Sequence, residues 1–196
     1  MAKSKRQKIR ARRERQRRSN RLWWILGAAV VLVVAGIVVW SALSPVQGEA
    51  APIMADASHV AEGEDPGPYN TDPPTSGRHY ANSLGAGFYD EGQASQMGEH
   101  PEGFLVHNLE HGYVIFWYNC AALDSQADCT QLKDQLNSTL DSFNNVKVIA
   151  FPWESIDAPV VATSWGRMLR FERFEPGQAE SFVRSNRYKA PEPDAP

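Results

Sequence analysis

Apolar positions in the second half of the chain repeat with two different spacings, and the spacings divide it into elements. "GYVIFWYN", residues 112–119, is an apolar, aromatic run rich in β-branched and aromatic residues and reads as a core strand. In "CTQLKDQLNSTLDSFNN", residues 129–145, Leu132, Leu136, Leu140 and Phe143 follow at steps of four, four and three. That is the stripe of an amphipathic helix, which Asn144-Asn145 ends. "VKVIAFPW" (146–153) is a short apolar strand, and "APVVATSWGRMLRFERF" (158–174) reads as two strands about a Trp165-Gly166 turn. "EPGQAESFVRSN" (175–186) is a closing helix with Pro176 near its start. The short run "GFLVH", residues 103–107, reads as one more strand. The predicted order is β-β-α-β-β-β-α, an α+β domain over residues 65–187.

The first half is patterned otherwise. "WWILGAAVVLVVAGIVVWSAL", residues 23–43, carries no charge, and its 21 residues at about 1.5 Å rise span about 30 Å, the thickness of a bilayer core. Trp23, Trp24 and Trp40 stand at its ends, where amphipathic rings favour the interface. The stretch is longer than a signal-peptide core, and Pro45 directly follows the small-residue triplet Ala42-Leu43-Ser44. The expectation is therefore a retained transmembrane helix whose partner is the lipid bilayer. Residues 44–64, rich in Pro, Gly, Ala, Asp and Glu, read as a flexible stalk, and 188–196 as a disordered tail.

Charge sharpens this division. The chain of 196 residues has a formal net charge of −3, yet residues 1–21 hold eleven Lys/Arg against the single acid Glu14. Residues 22–196 then hold 9 basic and 22 acidic side chains, a net of −13. A basic arm flush against a span places residues 1–22 in the cytoplasm and the acidic domain outside. Topology and anionic headgroups account for that cluster, so no nucleic-acid partner is expected.

The two cysteines, Cys120 and Cys129, both fall in the exported part, where an oxidising compartment favours a disulfide between them. The order of strand, helix, strand, hairpin and last helix is similar to that of thioredoxin-like domains. Ala158-Pro159 would then occupy the position of their cis-proline, and Cys120 the strand-to-helix junction. Those domains carry C-x-x-C, which this chain lacks, so their redox chemistry is not carried over and the cysteine pair reads as a structural staple.

Four of the five histidines fall within 33 residues: His79 in "PPTSGRHY", His100, and then His107 and His111 in "VHNLEHGY". Neutral imidazole is the commonest metal donor, and the i, i+4 spacing of His107 and His111 puts both on one face of either a helix or a strand. "HNLEH" matches the H-x-x-E-H string of metalloproteases that need it on a helix. The adjacent Gly112 and the β-forming neighbours favour an extended segment instead, which points Glu110 away from both rings. His79, His107 and His111 are the expected ligands, for Zn²⁺ or copper. Met54 and Met97 are candidate thioether donors. His59 and His100 read as solvated. Ser76, Arg78 and Glu110 are the expected supporting residues. Arg78, the only basic residue between 22 and 132, would serve as an anion clamp or as partner to a buried carboxylate such as Glu110.

"YNTDPPTSGRHY", "GFYDEG" and "VHNLEHGYVIFWY" together resemble a bacterial family of unknown function, the DUF3105 type. Its members are single-span proteins with paired P-P-T-S-G-x-H and H-x-L-E-H-G motifs. The resemblance implies a cell-membrane location. It makes Ser76, Gly77, His79, His107, Glu110, His111 and Gly112 the characteristic positions. It carries no activity. The functional expectation is a histidine-lined metal site in an accessory or metal-handling role. An interaction module serving a membrane complex, its histidines only bracing the loop, is the alternative. A hydrolase in which Glu110 activates metal-bound water is the third.

Overall fold

The computed structural model describes residues 23, 24, 26–34, 36 and 46–195, which divide into two compact units, Met1–Pro45 and Val46–Pro196. In the first unit the described residues are helical. The basic arm and part of the expected span lie outside the described residues. Among the described residues no helix is long and apolar enough to cross a membrane.

The second unit is a mixed α+β domain built on one buried strand. Strand β5 (Val114–Tyr118) is inaccessible along its whole length. Its side chains alternate between two cores. Val114, Phe116 and Tyr118 enter one, and Ile115 and Trp117 the other. That explains the unbroken apolar run in the sequence. Strand β6 (Val148–Pro152) lies parallel to β5 on one side. Strand β7 (Val160–Ser164) lies antiparallel on the other and turns through Gly166 into β8 (Arg167–Phe171). Short strands complete the edges: β1 (Glu49–Ala50) beside β8, and β4 (Gly87–Phe88) beside β6. The sheet order is β1-β8-β7-β5-β6-β4. A separate parallel pair joins β2 (His59–Val60) to β3 (His79–Tyr80), with His59 opposite His79.

Four α-helices and one 3-10 turn (Cys120–Ala122) accompany the sheet among the described residues of this unit. Helix α1 (Glu91–Ala94) is one turn. Helix α3 (Gln126–Ser142) begins three residues before the expected start, where the Ser125 hydroxyl accepts from the Asp128 amide. Its Leu132, Leu136 and Leu140 pack on the first core together with helix α4 (Pro176–Asn186). Cys120 and Cys129 form the expected disulfide, with an S–S distance of 2.02 Å.

Several expectations are corrected. "GFLVH" is no strand: residues Glu102–Glu110 form helix α2. Five apolar-rich residues fit either period, and this helix is buried nearly all round, so it has no polar stripe to reveal a 3.6-residue repeat. Pro101 opens it and Gly112, at φ +82°, closes it. Thus "HNLEH", expected to be extended, is helical except for its final residue, His111, which caps the helix. Cis peptide bonds lie at Gly67–Pro68 and Asp72–Pro73, and the bond before Pro159 is not among them. The stalk is docked from its middle onward: Ala51 N donates to Gly166 O, and β1 and β2 pair as above. The tail is docked as well. Tyr188 N donates to Gly112 O and Glu192 N to Glu110 O, while Lys147 Nζ donates to the carbonyls of His111 and Pro193.

Candidate metal centre

The loop leading to β3 is folded back on itself. Thr75 and Ser76 are wholly buried, and the Ser76 hydroxyl accepts from the Met54 amide. The phenol of Tyr69 donates to Arg78 O. Gly77 sits at φ +127°, and a Cβ there would stand 2.8 Å from Met54 Sδ. These contacts deliver His79 into the interior with no exposed surface. The next residue, Tyr80, lays its ring on α2 at Gly103, where a Cβ would lie 2.6 Å from the ring. Strand β3 and helix α2 therefore approach closely enough to share side chains. The helix presents His107 and Glu110 on one face, three residues apart, and His111 caps its end beside them.

Hydrogen bonds fix the ring tautomers. His79 Nδ1 lies 2.8 Å from Gly77 O, and His107 Nδ1 lies 2.8 Å from Tyr80 O. A carbonyl only accepts, so each Nδ1 carries the donated proton and each Nε2 is left as the donor atom for something else. Carbonyl-held Nδ1 with Nε2 turned inward is how ligating histidines are usually braced. His79 Nε2 lies 2.9 Å from Glu110 Oε2. A neutral imidazole lone pair and a carboxylate repel at that distance unless positive charge, a second proton or a cation, stands with them. Burial and then His111 push the His107 pKa from 6.5 down to about 4, so its ring is neutral at neutral pH.

The third ring is His59, which β2 sets opposite His79. Ring centroids lie 4.8 Å apart for His59 and His79, 5.3 Å for His59 and His107, and 5.2 Å for His79 and His107. An ion about 2.0–2.1 Å from each nitrogen sits roughly 3.2 Å from each centroid, so three imidazoles about a tetrahedral ion separate by about 5.2 Å. The observed triangle has that size. One donor atom from each of His59, His79, His107 and Glu110 lies within 4.8 Å of all the others.

The expected ligand trio and the observed group share His79 and His107, and Glu110, expected as a supporting residue, joins them as a donor. His111 stands outside the four, its ring 4.3 Å from that of His107 and its Nε2 3.6 Å from Glu192 Oε2. His59, read from sequence as solvated, takes its place. No periodicity marks the turn-rich stretch around His59, and only the closure of the 58–60 segment onto 79–80 brings it in. Ser76 braces Met54, and Arg78 pairs at 2.7 Å with Glu64 rather than with Glu110. Met97 packs on the second core. His100 belongs to a smaller group, with Nδ1 3.2 Å from Glu102 and 3.9 Å from Asp65. In the H-x-x-E-H string the helix does form, yet its two histidines are split between the group and its flank.

The model of a known family, Protein of unknown function (DUF3105), matches residues 59–196. The chain belongs to that family. The DUF3105 match opens on His59 and runs through the docked tail, so it takes in all four grouped residues. No curated protein and no solved structure matches the chain.

Proposed function

We propose that this DUF3105 chain is a membrane-anchored, extracytoplasmic metal-binding protein. His59, His79, His107 and Glu110 hold one Zn²⁺ or copper ion in a metal-handling or accessory role. The observation that carries this reading is the contact of His79 Nε2 with Glu110 Oε2 at 2.9 Å while Nδ1 is committed to a carbonyl. A divalent ion relieves the repulsion and uses the lone pair of His107 as well. Three nitrogens and one carboxylate suit Zn²⁺ or Cu²⁺ better than Mg²⁺ or Ca²⁺, which take oxygen. His111 supports the group from beside His107.

Anchoring rests on the uncharged 23–43 stretch and the basic arm. Its described helical residues agree with burial in lipid, since Trp23, Trp24, Val31 and Leu32 are 67–80% exposed. A thioredoxin-like core is supported by the order β6-β5-β7-β8, with β5 and β6 parallel and the other pairs antiparallel.

The second reading is an interaction module in which a proton, rather than a metal, satisfies Glu110 and His79, and the histidines only brace the loop. The burial of His79 and the carbonyl bonds favour it equally. A hydrolase comes third, because Glu110 lies among the donors instead of standing free to activate water.

Elemental analysis separates these readings. The full chain, purified without a histidine tag and dialysed, is expected to keep about one zinc or copper per molecule, and His107→Ala to keep none. Substoichiometric metal in the wild type overturns the proposal in favour of the brace.

A further inference from the structure

The four donors are held unequally. His79 is wholly buried and His107 is 7% exposed, and the Nδ1 of each is pinned to a backbone carbonyl. Glu110 lies in a helix, and its own carbonyl accepts from Glu192 N. His59 differs in each respect. It is exposed, and its ring makes no hydrogen bond among the described residues. Its ring packs against the rings of His79 and His107. Its backbone belongs to a strand of two residues, flanked by irregular segments, whose partner is β3.

An ion kept permanently is gripped by ligands that are themselves braced, and bracing changes affinity by about 10–100-fold. Two imidazoles here meet that standard, Glu110 is held through its helix backbone, and His59 has neither support. The one held least is also the most exposed of the four.

Building on the metal-centre reading, we infer that His59 is the exchangeable ligand, so that the site passes a divalent cation to an incoming donor. His79, His107 and Glu110 form the fixed half of the coordination shell, and His59 closes the solvent side. In the exchange, a lone pair of an already deprotonated donor forms a bond to the ion as the His59 nitrogen–metal bond breaks. His59 keeps its electron pair, and the oxidation state of the ion is unchanged. The cargo class is a borderline-soft divalent ion such as Zn²⁺, and the receiving group is an imidazole, thiolate or carboxylate presented from solvent.

The test uses the full chain in detergent, loaded with Zn²⁺ alone, with handover to the chromophoric chelator 4-(2-pyridylazo)resorcinol followed by absorbance. His59→Ala and His59→Gln are expected to hold about one zinc each and to release it on the order of tenfold faster than wild type. His107→Ala is expected to hold none. Thermal unfolding without metal should match wild type for both His59 variants, because the ring is exposed. The inference is overturned if both His59 variants lose zinc as completely as His107→Ala, or if both release it at the wild-type rate. A wild-type chain that binds no zinc overturns the metal-centre reading itself, a result distinct from either of those.

Discussion

The two faces of the sheet are built by different means. On one, helix α3 buries five residues of its 17, four of them apolar, and α4 completes a core with no histidine in it. On the other, α2 buries six of its nine residues, and His107 and Asn108 are among them. The first face is an ordinary hydrophobic interior. The second takes polar groups out of water and satisfies each one: no buried side-chain nitrogen or oxygen among the described residues lacks a partner. Asn108 shows how, accepting from Leu84 N at 2.9 Å and donating to Leu84 O at 2.8 Å. Apolar residues thus fill both sides of β5, and the helix bearing His107 and Glu110 lies on only one of them.

That division breaks most visibly on the apolar side. Leu136 is fully buried, so Leu136→Ala is expected to cost about 2–5 kcal/mol in urea unfolding while leaving bound metal unchanged. Metal loss in a folded Leu136→Ala chain would show the two faces to be coupled.

The next effect belongs to the polar side. In the metal-free folded chain His107 stays neutral down to about pH 4, whereas unfolded it takes a proton near 6.5. Between those values the unfolded state binds more protons, so this residue's share of stability is whole above pH 6.5 and falls as pH drops towards 4. The loss is about 3 kcal/mol at most. Urea unfolding at pH 7 and pH 4.5 measures it, and His107→Gln should flatten the difference relative to wild type.

Smaller still, Asn108→Ala leaves two Leu84 backbone groups without their partner, for about 1–3 kcal/mol. It should also loosen the 80–84 segment beside His107, visible as faster amide exchange at Leu84.

How much of this was legible follows the same division. From Val114 to Asn186 every strand and α-helix is readable, because β5, β6 and β7 are short apolar runs that feed both cores and the helices carry an apolar stripe towards one. Helix α2 is unreadable by period for the reason that makes it useful: it is enclosed, so polar and apolar residues alike face inward. Its boundary signals, Pro101-Glu102 before and Gly112 after, were in the sequence and outweigh the β-forming neighbours. The disulfide was expected from the two cysteines' predicted exported location. Of the grouped residues, His79, His107 and Glu110 stood out through their motifs. His59 did not, since 19 residues separate it from His79, the ring it faces, and no local pattern records that closure. The same loop geometry gave Arg78 a nearer partner in Glu64.

The central claim is the identity of the three imidazoles around the ion. X-ray absorption at the zinc edge on the loaded full chain tests it directly, comparing wild type with His59→Ala and His111→Ala. Three imidazole scatterers at about 2.0–2.1 Å are expected in wild type, two in His59→Ala and an unchanged three in His111→Ala. An imidazole lost with His111 and kept without His59 would contradict the claim.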